Sequence, residues 1–268
     1  MKLFLLTVYA LAHREVVRFY RQRNRVIGAL AAPLMFWFLI GSGMGGSFRY
    51  RFAQSSGMMG SATYLQYFFP GTLVMIVLFT AIFSSISIIE DRREGFLQAV
   101  LVAPGKRSAI ALGKMMGGAA LAWMQALLFL MLFPTLGLHI SLGGFVAILC
   151  LLAFISLGMT GLGFLIAWKM DSVQGFHAIM NLLLMPMWFL SGSLFPSETA
   201  PFWLRLVMLC NPLTYGVTEL RHILFSDKNY WMATQGHLWT VGINWSFTIG
   251  FSLIMFILST WICSRQTK

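Results

Sequence analysis

The stretch GTLVMIVLFTAIFSSISIIEDRREGFLQAVLVAP, residues 71–104, decides the fold of this chain. Its first 19 residues, 71–89, carry no charge and can form a helix that crosses a hydrocarbon core of about 30 Å. Five ionisable residues follow at 90–94, and apolar residues then recur with helical spacing. We expect Gly95 to interrupt this second helix and Pro104 to end it. The pattern predicts a membrane span followed by a short amphipathic helix, which is either a solvated loop or a docking element for a cytoplasmic motor.

The composition indicates an integral membrane protein. Of the 268 residues, 58% are hydrophobic and only 10% are charged, whereas soluble domains have about 25% charged residues. The net charge of +11 does not indicate a nucleic-acid partner, because the basic residues border apolar runs and form no soluble basic face. The three cysteines are an odd set with two members in apolar runs, which argues against a disulfide framework.

The apolar runs predict an all-α integral membrane protein with six transmembrane helices. The predicted spans are residues 26–44, 71–89, 115–138, 144–168, 176–195 and 241–263. They define one membrane domain over residues 26–268, preceded by a separate segment, residues 1–25. Glycines recur within and beside the spans at a spacing typical of close helix contacts. These predicted contact positions are Gly113, Gly117, Gly158, Gly161 and Gly163.

The distribution of lysine and arginine predicts the orientation in the membrane. With six spans, 14 of these residues lie on the side of the two chain termini and 5 lie on the other side. Basic residues are enriched on the cytoplasmic side of membrane proteins. We therefore expect both termini and residues 90–104 to be cytoplasmic.

Residues 1–25 predict an amphipathic helix that does not cross the membrane. Arginines recur along one face at steps of four, three and four, and apolar residues occupy the other face. Such a helix can lie in the headgroup plane with its arginines near anionic lipid. The alternative is a basic flank that only sets the orientation. The arginines concerned are Arg14, Arg18, Arg21 and Arg25.

The longest connection, residues 196–240, is too apolar for a simple solvated loop. Residues 201–209 and 212–224 are apolar but too short to span the membrane. They suit two helices that enter the outer leaflet and return, with Asn211 and Pro212 at the turn between them. An amphipathic loop resting on the headgroups is the alternative.

The spans carry no means of energising transport. Their central parts lack Asp, Glu, Lys and Arg, which ion-coupled carriers usually place there. No phosphate-binding loop is present, because Gly113-Lys114 lacks the earlier glycine and the following hydroxyl residue. Ser191-Gly192-Ser193 resembles a nucleophile motif but has no suitable His–Asp pair. We predict no catalytic residue and no directly bound cofactor, so ATP must be hydrolysed on another polypeptide.

A copper site is a lesser alternative. Met58, Met59 and His222 are predicted on the outer side together with two further histidines, and thioether and imidazole groups suit copper. Methionine is also an ordinary filler of membrane cores, and no tight ligand spacing supports a site. We therefore predict no metal ligands.

The residues discussed above form two motifs that together resemble a known family. One is residues 90–104, with its acidic run, Glu-Gly pair, apolar helix and terminal proline. The other is FLSGSLFP at 189–196, followed by NPLTY at 211–215 and by Arg221. On these motifs the chain resembles the permease subunits of type-2 ABC exporters, the ABC-2 family. It is most similar in appearance to exporter permeases for drug resistance and nodulation factors, and the resemblance covers almost the whole chain.

The resemblance implies an assembly and roles for residues. Two permeases, most simply identical, would join two cytoplasmic ABC ATPase subunits that carry ATP and magnesium. Residues 1–25 would be a connecting helix, and residues 90–104 would hold a coupling helix seated in the ATPase. The coupling residues would be Glu90, Arg93, Glu94, Gly95, Phe96, Leu97 and Pro104. Residues 197–225 would be outer re-entrant helices closing the exit, and the gate residues would be Gly192, Pro196, Asn211, Pro212, Tyr215, Glu219 and Arg221.

The expected function follows from this resemblance. The chain would export an amphipathic drug, lipid or glycan-linked substrate across a bacterial plasma membrane, in contact with membrane lipid. A passive channel or a membrane scaffold without transport activity is the alternative from another class. An exporter of copper with the same architecture is the third possibility.

Overall fold

The computed structural model describes residues 2–21, 23–43, 64–102, 105–137, 140–195, 197, 200–225 and 240–265. Within these ranges the chain is helical and contains no strand. The helices are α1 Lys2–Arg21, α2 Arg23–Gly43, α3 Tyr64–Ser84, α4 Ile86–Arg93, α5 Phe96–Val102, α6 Arg107–Leu130, α7 Leu142–Trp168, α8 Val173–Trp188, α9 Phe202–Cys210, α10 Pro212–Leu224 and α11 Val241–Arg265. The predicted all-α class is therefore confirmed.

Four helical segments are long and apolar enough to cross a membrane, judged by length and composition. They are Tyr64–Arg93, Leu142–Trp168, Val173–Ser193 and Val241–Arg265. A chain with several such segments is a multi-pass membrane protein. The predicted count of six spans stays a prediction.

Helix α3 forms the centre of the bundle. Sixteen of its 21 residues are buried, and it packs against α2, α6 and α7. Its sequence is apolar on every side, which is the pattern of a helix surrounded by other helices. Helix α3 continues through Ser85 into α4, which carries the charged residues.

Glycines bring two pairs of helices into close contact, as the sequence predicted. A Cβ atom on Gly117 of α6 would lie 2.7 Å from Glu15 Cβ and 3.0 Å from the Ala12 carbonyl of α1. A Cβ atom on Gly161 of α7 would lie 2.9 Å from Met255 Cβ of α11. Only the absence of a side chain permits these distances.

Helices α1, α6 and α8 are among those whose bounds differ from the predicted ones. The first helix ends at Arg21 and not at residue 25, and α2 begins at Arg23. Helix α6 begins at Arg107, so Lys114 lies inside a helix that was predicted to start after it. Helix α8 begins at Val173 and continues as a π-helical turn, Phe189–Ser193, in which Gly192 has φ 80°.

Some predictions fall on residues outside the described ranges. These are the helix end at Pro104, the gate residue Pro196 and the two methionines of the copper alternative, Met58 and Met59. The side chain of Arg25 is also outside the described part.

Candidate functional site

The segment after α3 folds into two short helices joined by a tight turn. Helix α4 ends at Arg93, and the amide of Glu94 donates to the Glu90 carbonyl at 2.9 Å. Gly95 follows with φ 77°, a left-handed conformation that residues with a side chain rarely adopt. The turn redirects the chain into α5. The helix interruption predicted at Gly95 is therefore confirmed.

Asp91 is the centre of a buried group of charges beside this turn. Its side chain is fully buried and accepts hydrogen bonds from both Nη atoms of Arg14, each at 2.8 Å. Arg18 Nη1 donates to the same carboxylate at 2.9 Å, and Lys114 Nζ contacts it as well. Three cations from α1 and α6 thus meet one carboxylate of α4. The buried charge is stabilised by these charge-assisted hydrogen bonds.

A second buried acid completes the group. Glu15 of α1 is 5% exposed and contacts Lys114 Nζ, and Arg14 Nη1 lies 3.8 Å from its Oε1. The hydrogen bond to Asp91 raises the pKa of the Arg14 guanidinium above its usual value, although burial acts in the opposite direction. Arg14 therefore stays charged at any physiological pH.

Arg18 connects the buried charges to two acids at the end of α4 and in the turn that follows it. Its Nη2 lies 2.9 Å from Glu90 Oε2 and 3.5 Å from Glu94 Oε1. Arg14 also stacks over the Phe96 ring, with its Cζ atom 3.7 Å from the ring centre. We call the ion-paired residues of this group the charge cluster: Arg14, Glu15, Arg18, Glu90, Asp91, Glu94 and Lys114.

The charge cluster corrects the predicted contact of the arginines in the first helix with lipid. Arg14 and Arg18 were predicted to face anionic lipid, but the structure turns both toward carboxylates of α4. The pairing is favoured because a buried carboxylate without a compensating cation is strongly destabilising. Arg21 is exposed and remains available to lipid headgroups.

The other side of α4 is held by the turn between α7 and α8. Arg92 Nη1 donates to Asp171 Oδ1 at 2.9 Å, and its Nη2 donates to the Trp168 carbonyl at 2.6 Å. Arg93 Nε donates to the Asp171 carbonyl at 2.9 Å. Helix α4 is therefore connected to α1, α6 and the α7–α8 turn at once.

The predicted coupling residues divide between an inner and an outer face. Leu97 is 3% exposed and packs into the hydrophobic core, and Phe96 is half-buried beneath Arg14. The outer face carries Glu94, which is 60% exposed, and Val102, which is 87% exposed. The contact surface available to a partner therefore comprises Arg93, Glu94, Gln98, Ala99 and Val102.

A second constellation lies at the end of α8, around the backbone break at Gly192. The Gly192 carbonyl accepts hydrogen bonds from Arg221 Nη2 at 3.0 Å and from the Tyr67 hydroxyl at 3.1 Å. The Arg221 guanidinium also stacks on the Tyr67 ring at 4.1 Å. These donors satisfy a carbonyl that the broken helix leaves unpaired. We call Tyr67, Gly192 and Arg221 the Gly192 cluster.

The turn between α9 and α10 packs against the same end of α8. Asn211 Oδ1 accepts the amide of Leu213 at 3.1 Å, which caps α10, and its Nδ2 donates to the Met187 carbonyl at 2.5 Å. Pro212 occupies the first turn of α10, where a missing amide proton has no cost. The Tyr215 hydroxyl donates back to the Leu209 carbonyl at 2.9 Å. The predicted turn at Asn211-Pro212 is confirmed.

Glu219 is a buried acid without a lysine or arginine partner among the contacts described. Asn244 Nδ2 and Trp245 Nε1 of α11 each donate to its carboxylate at 3.0 Å. His222 Nδ1 lies 4.0 Å from Oε1 of the same carboxylate. Glu219 therefore joins α10 to α11, and Arg221 joins α10 to α8.

Sequence reasoning missed the buried partners in both places. The residues concerned are Glu15, Asp91 and Lys114 in the charge cluster, and Tyr67 and Asn244 near α10. A usable signal existed for two of them: Glu15 is the lone acid of a basic helix, and Lys114 is the lone charge in the interior of an apolar helix. Isolated charges in such helices usually find a buried partner.

The described residues contain no group of three or more His, Cys, Asp or Glu that could hold a metal ion. The acids of the charge cluster are paired with Arg14, Arg18 and Lys114. Its ion pairs join α1, α4 and α6 and are suited to fixing the position of α4.

Comparison with known proteins agrees with the arrangement described. The model of the ABC-2 type transporter family matches residues 7–225. The ycf38 protein of Cyanophora paradoxa, named as a transport permease, is 29% identical over 259 residues, covering 95% of this chain and 85% of that protein. Daunorubicin resistance ABC transporter permease protein DrrB1 of Streptomyces coeruleorubidus is 25% identical over 224 residues, covering 81% of this chain and 75% of that protein. Nodulation protein J of Rhizobium leguminosarum bv. trifolii is 25% identical over 201 residues, covering 74% of this chain and 73% of that protein.

Proposed function

This chain belongs to the ABC-2 type transporter family, and we propose that it is the membrane permease of an exporter driven by a separate ABC ATPase. The ATPase would bind ATP and magnesium, while this chain would provide the path for an amphipathic substrate. Two copies of the permease and two of the ATPase form the simplest complex. The proposal includes six spans and cytoplasmic termini in a bacterial plasma membrane, with α9 and α10 as outer helices near the exit.

One observation carries the proposal: the helix pair α4–α5 is fixed from behind while its outer face is open. Asp91, Arg92 and Leu97 hold the pair against the bundle. Glu94 and Val102 remain exposed on the opposite face. A segment that transmits force from a partner needs both properties, because a loosely held loop would absorb the motion.

Val102 provides the test of ATPase docking. We expect Val102→Asp to abolish copurification of an ABC ATPase from native membranes in mild detergent, because it places a charge on the most exposed apolar side chain of α5. The matched control is Leu142→Asp, an equally large change at a residue that is 82% exposed at the start of α7. The measurement is the amount of ATPase, identified by mass spectrometry, per permease.

The result that supports the proposal is loss of the ATPase with Val102→Asp and its retention with Leu142→Asp. If the unaltered permease copurifies with no ATPase, the proposal is wrong. A passive channel would in that case conduct ions in bilayers that contain this chain alone, whereas the proposed permease would not.

A further inference from the structure

A cavity is lined by α1, α2, the α3–α4 segment and α8. Its volume is about 470 Å³, and pockets that hold drug-sized ligands measure about 300–1,000 Å³. Most of its lining side chains are apolar, and many carry rings. The ring-bearing residues are Phe19, Phe36, Phe79, Phe83, His177 and Trp188. The cavity is therefore large enough for a small organic molecule and offers it mainly ring faces.

The cavity is elongated along the α3–α4 segment. Lining residues run from Met75 to Glu90, and 15 steps of 1.5 Å correspond to about 22 Å. Aromatic groups mark both ends: Phe36 and Trp188 meet edge to face, with centroids 6.1 Å apart, at the end that includes Trp188. His177 packs on Phe83 at 5.0 Å toward the other end. The cavity is therefore long enough to hold both a charged group and an apolar body.

Negative charge is concentrated at one end of this cavity. Glu90 is its only charged lining residue among the described ones. The Glu90 Oε2 atom is buried and accepts no well-aligned hydrogen bond from the described part of the chain, although Arg18 Nη2 lies 2.9 Å away. Arg18 is shared with Asp91 and Glu94. Glu90 is therefore only partly compensated by the contacts described.

We infer that this cavity binds an amphipathic organic cation, with the charged group beside Glu90 and the apolar body along the rings toward Trp188. The inference names a substrate class and so rests on the proposed function. Phe19, which follows the Glu90 partner Arg18, lines the cavity as well, and ring faces attract a cation. An anionic headgroup would be repelled by the Glu90 carboxylate. A helix from a second copy would fill the space but leave Glu90 without a further cation.

Two probes of the same shape and opposite charge test this inference. The probes are tetraphenylphosphonium, a cation, and tetraphenylborate, an anion, titrated against the purified permease in nanodiscs of zwitterionic lipid. We expect the cation to bind at least tenfold more tightly to the protein-containing nanodiscs, after correction for empty nanodiscs. Glu90→Gln should weaken binding of the cation about tenfold and leave binding of the anion unchanged or stronger.

Asp171→Asn is the matched control for the loss of one carboxylate. Asp171 is 87% exposed and does not line the cavity, and asparagine keeps an Oδ1 atom that can accept from Arg92, so α4 stays held. This variant should bind the cation within twofold of the unaltered protein. Equal weakening by Glu90→Gln and Asp171→Asn would overturn the inference, because the effect would then arise from net charge alone. Equal binding of both probes to the unaltered protein would identify an apolar groove for lipid and would also overturn it.

A second measurement keeps the test decisive if Glu90→Gln does not fold. In a background in which Cys150 and Cys210 are serine, Met185→Cys is labelled with a bulky maleimide, since Met185 lines the cavity. Labelling should abolish binding of the cation. The control is labelled Leu182→Cys, at a residue of the same helix that is 79% exposed and outside the cavity lining. Unchanged binding after labelling at Met185 would place the probe elsewhere and overturn the inference.

The outcome is separable from the test of the proposed function. Probe binding uses the permease alone, whereas the docking test measures the ATPase. Disulfide formation between Met185→Cys residues of two copies, in the absence of probe, would assign the cavity to a second permease and overturn only the ligand inference.

Discussion

Replacing Lys114 with methionine removes one of the cations that compensate the buried acids. Lys114 Nζ contacts both Glu15 and Asp91, and its side chain is 3% exposed. Asp91 keeps two arginines after the substitution. Glu15 keeps only Arg14, whose Nη1 lies 3.8 Å from its carboxylate. The main effect of the substitution is therefore an uncompensated charge at Glu15, between α1 and α6.

The expected cost follows from the burial of this pair. Removing one partner of a buried ion pair costs about 3–5 kcal/mol, because the remaining charge is left without compensation. Removing both partners together is often neutral. We therefore expect Lys114→Met alone to be strongly destabilising and the double variant Lys114→Met/Glu15→Leu to lie within about 1 kcal/mol of the unaltered protein. Asp91 stays paired with Arg14 and Arg18 in both variants.

Thermal unfolding in detergent micelles measures this difference. For a chain of this size, 1 kcal/mol corresponds to a shift of about 2–4 °C in the unfolding midpoint. Lys114→Met should lower the midpoint by about 10 °C, and adding Glu15→Leu should restore most of the loss. Protease cleavage within α1 should rise and fall in parallel, because Glu15 is one of the buried residues of that helix.

Lys106→Met is the matched control, since Lys106 is exposed and precedes the same helix. It should change the free energy of unfolding by less than about 0.5 kcal/mol. The reasoning is refuted if Lys114→Met behaves like this control. It is refuted equally if the double variant is no more stable than the single one, because the cost would then not come from the unpaired carboxylate.

Three further predictions address other contacts. Gly117→Ala should lower the free energy of unfolding by about 1–3 kcal/mol in the same assay, since its Cβ would meet α1 at 2.7 Å. Gly192→Ala should cost about 1–2 kcal/mol, because the residue has φ 80°, and it should raise hydrogen exchange at the end of α8. Glu219→Gln should cost about 1.5–3 kcal/mol by weakening one charge-assisted hydrogen bond, read as an increase in solvent exposure of Trp245 in fluorescence quenching.

The control for the first two substitutions is Gly143→Ala. Gly143 lies in the first turn of α7, and an added Cβ would meet no atom within 4 Å. It should be neutral or slightly stabilising, because alanine favours the helix. A loss at Gly143 as large as that at Gly117 would contradict the role of close helix contact. Unchanged stability of Gly192→Ala would contradict the role of positive φ, and unaltered quenching of Trp245 would contradict the Glu219 contact.

Local features of the sequence were sufficient to predict the class of the fold and its breaks. Long uncharged runs predict helices in a membrane, whatever their neighbours are. Glycine at position 95 predicts a break, because glycine adopts a positive φ without the steric cost that a side chain brings. Close contact at Gly117 was also predictable as a property of spacing, although its partner, α1, was not.

Pairing over long separations could not be predicted from a single sequence. Arg14 and Asp91 are 77 positions apart, and nothing local distinguishes Asp91 from Glu90 or Glu94 as the buried acid. Leu97 was predicted as a contact for a partner, yet it lies in the core. An amphipathic helix has an apolar face, but its sequence does not reveal whether that face meets its own chain or another protein. Packing of the whole bundle decides that question.

One helical segment connects the charge cluster with the Gly192 cluster. Tyr67 at one end of Tyr64–Arg93 donates to Gly192, and Asp91 at the other end holds the arginines of α1. Thirty residues of helix span about 45 Å. At Ser85 the hydrogen bonds change to a three-residue spacing, from Ser85 to Ile82 and from Ile88 to Ser85. Under the proposed function, a displacement of α5 would be transmitted toward Gly192 to the extent that this short turn stays rigid, because α3 beyond it is enclosed by the bundle.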